Sequence, residues 1–238
     1  LEETNLSENE IELIESMTKS IYFPHSNEYG IYLQQDGFLD KTLTPVSKLS
    51  IEERPLNQNW SWDRILRSPY IKQADTLQTF YFFEDHFSYE ELKDHFDFYE
   101  PLTVHESSLS PCIHSILASK LGRMDKAYEF YLQTSRLDLD DYNKEVDEGL
   151  HITSMAGTWM SIVEGFGGMR VKNNMLHFYP QIPKQWYSYS FKINFRGKRL
   201  EVKVKKDKYI FKLLADESIT IAVNDKHIQI KPNETYEL

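Results

Sequence analysis

Cysteine is nearly missing from this 238-residue chain: Cys112 is the only one, so no intrachain disulfide can form. A lone thiol fits a reducing compartment, and a cytoplasmic location is expected. Long apolar runs are missing too. None approaches the roughly 20 residues a membrane helix needs, and the first residues carry no signal-peptide pattern. Basic charge is in short supply, with Lys+Arg 27 against Asp+Glu 37 and a net charge of −10. That balance excludes nucleic acid or an anionic membrane as the main partner. Low-complexity tracts are absent, so the chain is expected to be ordered and to bury a sizeable core. No phosphate-binding loop of the nucleotide kind and no nucleophile elbow occurs. His105-Glu106 is not a zinc motif, because Leu109 stands where a second histidine would be needed. Asp138 to Gly149 is acidic, but Tyr142 and Asn143 fall where a calcium loop requires other residues, so it reads as a solvated loop. Asn-x-Ser/Thr triplets at Asn5, Asn59 and Asn233 fit chance occurrence. The chain begins at Leu1 rather than Met and enters a helix almost at once, so it is expected to be the tail end of something longer.

Two textures divide what is present. The first is helical. Ser7 and Glu10 make a capping box, followed by Ile11, Leu13, Ile14, Met17 and Ile21 at helical spacing. Residues 24–60 lack a sustained period and carry Pro24, Gly30, Gly37, Pro45 and Pro55, which predicts a long structured loop with room for a short helix. Helical patterns return at 61–67, 72–84, 88–98, 109–121, 124–136 and 150–164. Short breaks such as Gly122-Arg123 predict antiparallel helical hairpins.

From about Met175 the period changes to two. Phe191, Ile193 and Phe195 alternate with polar residues, and Arg196-Gly197-Lys198 turns the chain. Leu200, Val202 and Val204 follow, then Tyr209 to Leu213, Ile219 to Val223 and Ile228 to Ile230. This predicts an antiparallel sheet meander with one wet face and a packing role. The expected division is residues 1–172, helical, and residues 173–238, a β-sheet domain.

Chemistry-bearing residues concentrate in the helical part. His105-Glu106-Ser107-Ser108-Leu109-Ser110-Pro111 sets a titratable ring, a carboxylate and three hydroxyls before the apolar run Cys112 to Leu117. Free amides and the positive end of the helix dipole there favour an anion such as phosphate, while an ordinary N-cap explains the same residues. Lys72-Gln73 suits sugar hydroxyls or a solvated first turn. Trp60-Ser61-Trp62-Asp63 suits stacking on a sugar ring or burial in the core. His151 precedes a helix start rich in small residues (Ser154, Ala156, Gly157), where it can meet an anion or serve structure alone. The residues by themselves reach a possible polyol and anion site but no reaction.

Taken together, the windows 31–40, 54–63, 71–75, 99–110 and 149–155 resemble the maltose phosphorylases. These belong to the glycoside hydrolase family that also holds trehalose and kojibiose phosphorylases. Lys72-Gln73, His105-Glu106-Ser107-Ser108-Leu109-Ser110 and Gly149-Leu150-His151 are similar to patterns of the whole family; Gln58-Asn59-Trp60-Ser61-Trp62-Asp63 is more particular to the maltose enzymes. The resemblance implies the later helices of an (α/α)6 barrel followed by an antiparallel, jelly-roll-like β-sheet domain. It implies inverting phosphorolysis of maltose to β-glucose 1-phosphate and glucose, with inorganic phosphate as co-substrate, no cofactor, no metal, and a homodimer at full length. Lys72 and Gln73 match the positions that hold the donor glucose, and Ser107, Ser108 and His151 the phosphate-binding positions. His105 and Glu106 are expected to orient the serines or line the pocket. The family's general acid, a glutamate in a Gly-Pro-Asp/Asn-Glu-Tyr motif, has no counterpart here, and Trp62-Asp63 is not the family's Trp-Asp donor window. The chain alone is therefore expected to be inactive. Two other functions are compatible with the residues: a hydrolase with Glu106 or Asp147 activating water, and a non-catalytic carbohydrate-binding or scaffold module.

Overall fold

In the computed structural model, which describes residues 6–238, Ser7 opens helix α1 (Glu8–Ser20) with the predicted capping box. The Glu10 amide donates to Ser7 Oγ (3.3 Å), and the Ser7 amide donates back to Glu10 Oε2 (2.8 Å). No residue of α1 is buried, so its apolar stripe Leu13, Ile14 and Met17 faces outward. The triplet at Asn5 lies outside the described residues.

The long loop is structured, as its length suggests. It contains a short antiparallel pair, β1 (His25–Ser26) and β2 (Ile31–Tyr32), then 3₁₀ turns and the short helix α2 (Leu56–Asn59). Helices α3 (Trp62–Arg67), α4 (Thr76–Phe82) and α5 (Tyr89–Tyr99) follow. α5 fastens the loop: Tyr99 Oη donates to the Tyr32 carbonyl (2.7 Å) and accepts from the Gln34 amide (3.0 Å). His95 Nε2 accepts from the Tyr32 amide (2.8 Å), while its Nδ1 meets the Glu91 carbonyl (2.7 Å). Those two partners suit a neutral ring, and burial lowers the pKa of His95 accordingly.

Helices α6 (Ser110–Lys120) and α7 (Met124–Ser135) form the predicted hairpin, turned at Gly122 with φ +70°. Every residue of α6 from Ser110 to Ser119 is buried, which marks a core helix wrapped by others. After the short α8 (Leu137–Asp140), α9 (Ile152–Met160) runs into a π-helical segment, Ser161–Phe166. Glycine decides how α9 packs. A Cβ at Gly157 would lie 2.7 Å from Cys112 Cβ, and one at Gly165 would lie 3.6 Å from Ile116 Cα. Early residues of the α9 segment thus face the start of α6, and late ones face its later turns. The two helices run parallel.

The helix expected over 72–84 begins only at Thr76. Residues 72–75 are bends and a turn, with Asp75 at φ +39°, and they leave a bridge in which Ile71 pairs with Thr103 in parallel: the Ile71 amide donates to the Leu102 carbonyl (3.0 Å) and the Val104 amide to the Ile71 carbonyl (2.8 Å).

The C-terminal part departs from a single meander. Strands β3 (Arg170–Lys172), β4 (Met175–Phe178), β8 (Ile219–Val223) and β9 (Lys226–Ile230) form one sheet, in the order β3-β4-β8-β9. Strands β5 (Ser188–Phe195), β6 (Lys198–Lys205), β7 (Tyr209–Leu214) and β10 (Thr235–Glu237) form the other, in the order β10-β7-β6-β5. Pairing is antiparallel except between β4 and β8, which run parallel, so the antiparallel expectation holds for all but that pair. Leu200, Val202, Phe211 and Leu213 of one sheet meet Phe178, Ile221 and Val223 of the other in a shared core. Alternation reveals that a strand has one buried face, but not which sheet it joins. This domain packs on the helices through Trp186, which meets Tyr131 and Phe166 edge-on, and through Arg170, whose Nε lies 2.9 Å from both oxygens of Glu84. Among the described residues, no helix is long and apolar enough to cross a membrane.

Candidate functional site

The Ile71–Thr103 bridge carries two of the predicted windows side by side. Just beyond it, Ser107 Oγ donates to Gln73 Oε1 (2.9 Å). Lys72 is exposed, and Gln73, Ser107 and Ser108 are half-buried. The serines do not cap α6 in the ordinary way. The residue at its N-cap is Leu109, which makes no side-chain cap, and Pro111 lies in the first turn with no N–H to offer. Ser107 Oγ accepts instead from the Leu109 amide (3.3 Å), within the turn that leads into the helix.

His105 holds that turn from beneath. Its φ of +57° is left-handed, a conformation that a non-glycine residue adopts only when its surroundings impose it. The surroundings are specific: His105 Nδ1 lies 2.9 Å from Ser110 Oγ, and the ring packs against His114 (4.5 Å between centroids) and Phe130 (4.8 Å). Burial drives the His105 pKa well below its ordinary value and that of His114 down to about 4, so both rings are neutral near pH 7. His114 Nδ1 meets the Ser110 carbonyl (2.9 Å), so it is the donor.

Glu106 turns away to a different task. Its Oε2 accepts from the Leu56 amide (2.7 Å), its Oε1 lies 3.7 Å from Arg54 Nε, and Arg54 Nη2 donates to the Val104 carbonyl (2.6 Å). The carboxylate therefore fastens residues 54–56 to the loop that carries the serines. Burial pushes its pKa up despite the Leu56 amide and the Arg54 guanidinium.

His151 is one residue before α9. Because α9 runs parallel to α6, and Gln73 joins Ser107 ahead of α4 and α6, the loops that open α4, α6 and α9 lie at one end of the helical layer. The hydrogen bonds of His151 go to Asp138, not to the serines: its amide donates to Oδ2 (3.0 Å) and its Nδ1 lies 2.5 Å from Oδ1. Glu145 Oε2 stands 3.8 Å from Nε2. The segment read as a solvated acidic loop thus supplies two carboxylates to His151. Sequence reasoning missed Asp138, because a separation of 13 positions between the partners follows no helical or strand period.

Two other windows come apart. The Arg64 guanidinium covers the Trp60 ring at 3.5 Å, Asp63 pairs with Arg67 (2.9 Å), and Trp62 is 72% exposed. Trp60 and Trp62 therefore do not form a stacking platform. Asp147 is exposed in a 3₁₀ turn, outside the contacts that join the windows.

Comparison with known proteins places both parts of the chain in one family. Residues 1–160 match the model for the glycosyl hydrolase family 65 central catalytic domain, and residues 169–230 match that for the family's C-terminal domain. The chain is 49% identical over 227 residues to a maltose phosphorylase from Bacillus subtilis (strain 168), covering 95% of this chain and 30% of that protein. It is 43% identical over 230 residues to an alpha,alpha-trehalose phosphorylase from Thermoanaerobacter brockii, covering 97% of this chain and again 30% of the relative. A solved structure of a putative kojibiose phosphorylase from the human microbiome superposes with a TM-score of 0.91 at 37% identity, over all of this chain and 33% of that one. The chain spans about 30% of the length of the curated relatives it matches. With its helical part matching the central catalytic domain and its β-sheet part the C-terminal domain, the chain belongs to glycosyl hydrolase family 65.

Proposed function

We propose that this chain is the C-terminal part of an inverting disaccharide phosphorylase that converts maltose and inorganic phosphate to β-glucose 1-phosphate and glucose. Lys72 and Gln73 hold the donor glucose; Ser107, Ser108 and His151 cradle phosphate. The observation that carries the reading is the Ser107–Gln73 hydrogen bond (2.9 Å), which joins the sugar-binding window to the anion-binding window at the helix starts. Phosphate is already an anionic nucleophile, so it needs no general base; it needs donors that hold it in line with the bond to be broken. One carboxylic acid must still protonate the leaving oxygen. That acid belongs to a portion of the catalytic domain this chain does not carry, in keeping with its 30% share of the relatives' length.

Asp138 orients His151 by binding both its amide and its ring, and His105 with Ser110 holds the serine turn. The preference for maltose over trehalose rests on 49% identity against 43%. A cytoplasmic protein, its one thiol buried, acting as a homodimer at full length, completes the proposal. The test is a donor panel on the intact protein. Glucose 1-phosphate should form from maltose only when phosphate is present, with trehalose and kojibiose poor substrates. Glucose released without phosphate would replace phosphorolysis by hydrolysis.

A further inference from the structure

A serine hydroxyl carries a single proton, and that of Ser107 is already engaged. Ser107 Oγ donates to Gln73 Oε1 (2.9 Å), while the same oxygen accepts from the Leu109 amide (3.3 Å). A phosphate oxygen held by Ser107 must accept that same proton. Ser107 therefore cannot donate to Gln73 and to phosphate at once.

The backbone on both sides is fastened, so the exchange falls to the hydroxyl itself. The Ile71–Thr103 bridge holds the chain just before Gln73. Glu106, the neighbour of Ser107, is anchored to the Leu56 amide (2.7 Å), and His105 Nδ1 lies 2.9 Å from Ser110 Oγ beneath the turn. Rotation of the Ser107 O–H is enough to turn its proton away from Gln73. Both side chains are half-buried, so a ligand can reach either one. Turning the hydroxyl deprives Gln73 Oε1 of its donor, and leaving a partly desolvated carbonyl unpaired is unfavourable. A sugar hydroxyl that donates to Gln73 Oε1 removes that penalty.

We propose that the Ser107 proton couples the two ligand positions. Phosphate takes the proton, a hydroxyl of the sugar replaces it on Gln73 Oε1, and each ligand binds more tightly when the other is present. The inference rests on the proposed assignment of Gln73 to the donor glucose and Ser107 to phosphate. Thermodynamic linkage makes the factor the same in both directions. One ordinary hydrogen bond sets that factor at about fivefold.

Equilibrium titration of the intact protein that carries this chain tests the coupling. The probes are inorganic phosphate and 1,5-anhydro-D-glucitol, a glucose without its anomeric hydroxyl and so unable to react. The phosphate Kd should fall about fivefold in saturating anhydroglucitol, and the anhydroglucitol Kd should fall by the same factor in saturating phosphate. Gln73→Met removes the acceptor and frees the Ser107 hydroxyl. Phosphate alone should then bind at least as tightly as it binds the parent, and the coupling should vanish. Ser107→Ala removes the proton, so phosphate should bind more weakly, again without coupling. Direct contact or charge effects between the two ligands survive both substitutions, so coupling retained in both variants would overturn the proposal. Independent binding of the two ligands to the parent would overturn it as well, while leaving the sugar and phosphate assignments standing. Those assignments fall, and the coupling with them, if Ser107→Ala and His151→Ala leave phosphate binding unaltered or Lys72→Ala and Gln73→Met leave anhydroglucitol binding unaltered.

Discussion

Replacing Gly157 by alanine tests the packing that lays α9, the helix that His151 leads, along α6. In a solvent-facing helix position the change would stabilise by roughly 1 kcal/mol, since glycine is the poorer helix former. Here the new Cβ meets Cys112 Cβ at 2.7 Å, Cys112 Sγ at 3.0 Å and Thr134 Cγ2 at 3.2 Å. Carbon atoms prefer about 3.5–4.0 Å, and Cys112 Cβ is fixed to the backbone of α6 and cannot swing aside. Overpacking of this kind costs about 1–3 kcal/mol, and three close neighbours place it in the upper half of that range. The net is a loss of about 1–2 kcal/mol once the helix-propensity gain is subtracted. For a chain of this size that is a fall in Tm of about 2–8 °C. Thermal and urea unfolding of the Gly157→Ala protein beside the parent would measure it. A Tm equal to or above the parent's would refute the tight α6–α9 contact, and with it the parallel packing deduced from that contact. A functional consequence follows: in the intact protein α9 must shift away from α6, so the KM for phosphate should rise more than the KM for maltose.

In the intact protein His151→Ala should raise the phosphate requirement far more than the maltose requirement, and steady-state kinetics with phosphate varied would show it; an unchanged phosphate dependence removes His151 from the site. The purified 238-residue chain alone should produce no glucose 1-phosphate from maltose, and any turnover by it would place the missing acid here after all. Acidification should unfold the protein through His105 and His114. Both are held neutral, with folded pKa values below the ordinary histidine value of 6.5, so their stability contribution is complete above that pH and is lost as pH falls toward the folded values, near 4 for His114. Each ring contributes a slope of up to about 1.4 kcal/mol per pH unit in that window, and His114→Leu should flatten the urea-measured profile between pH 6.5 and 4.5. The outward stripe of α1, Leu13, Ile14 and Met17, should make the isolated chain self-associate; a sedimentation profile of clean monomer across the micromolar range would contradict that.

The helices and strands were largely legible because each rests on local chemistry. Ser7 and Glu10 announced α1, Gly122 announced the hairpin of α6 and α7, and alternation announced β5 to β9. Short elements escaped: α2, α8, β3, β4 and β10 span three or four residues each, too few to display a period. The sheet assignment escaped for a different reason, since Ile219 to Val223 alternate in the same way whether β8 extends a meander or pairs in parallel with β4. Of the candidate site, residue types and windows were legible, but partners were not. Ser107 was visible as a hydroxyl before a helix, yet its bond to Gln73 spans 34 residues. Glu106 read as a pocket carboxylate or a base, whereas its partners are Arg54 and the Leu56 amide.

The sequence by itself determined the helical and β halves, the absence of a disulfide, the acidic charge and the identity of the windows, because composition, capping and periodicity act between near neighbours. Only the tertiary structure decided what those windows face. The Ile71–Thr103 bridge sets Gln73 against Ser107, the lack of a side chain at Gly157 lets α9 lie along α6, and Asp138 takes hold of His151. Each of these contacts joins residues distant in sequence, and no local pattern encodes them; they arise when the surrounding helices pack and leave those groups only one another as partners.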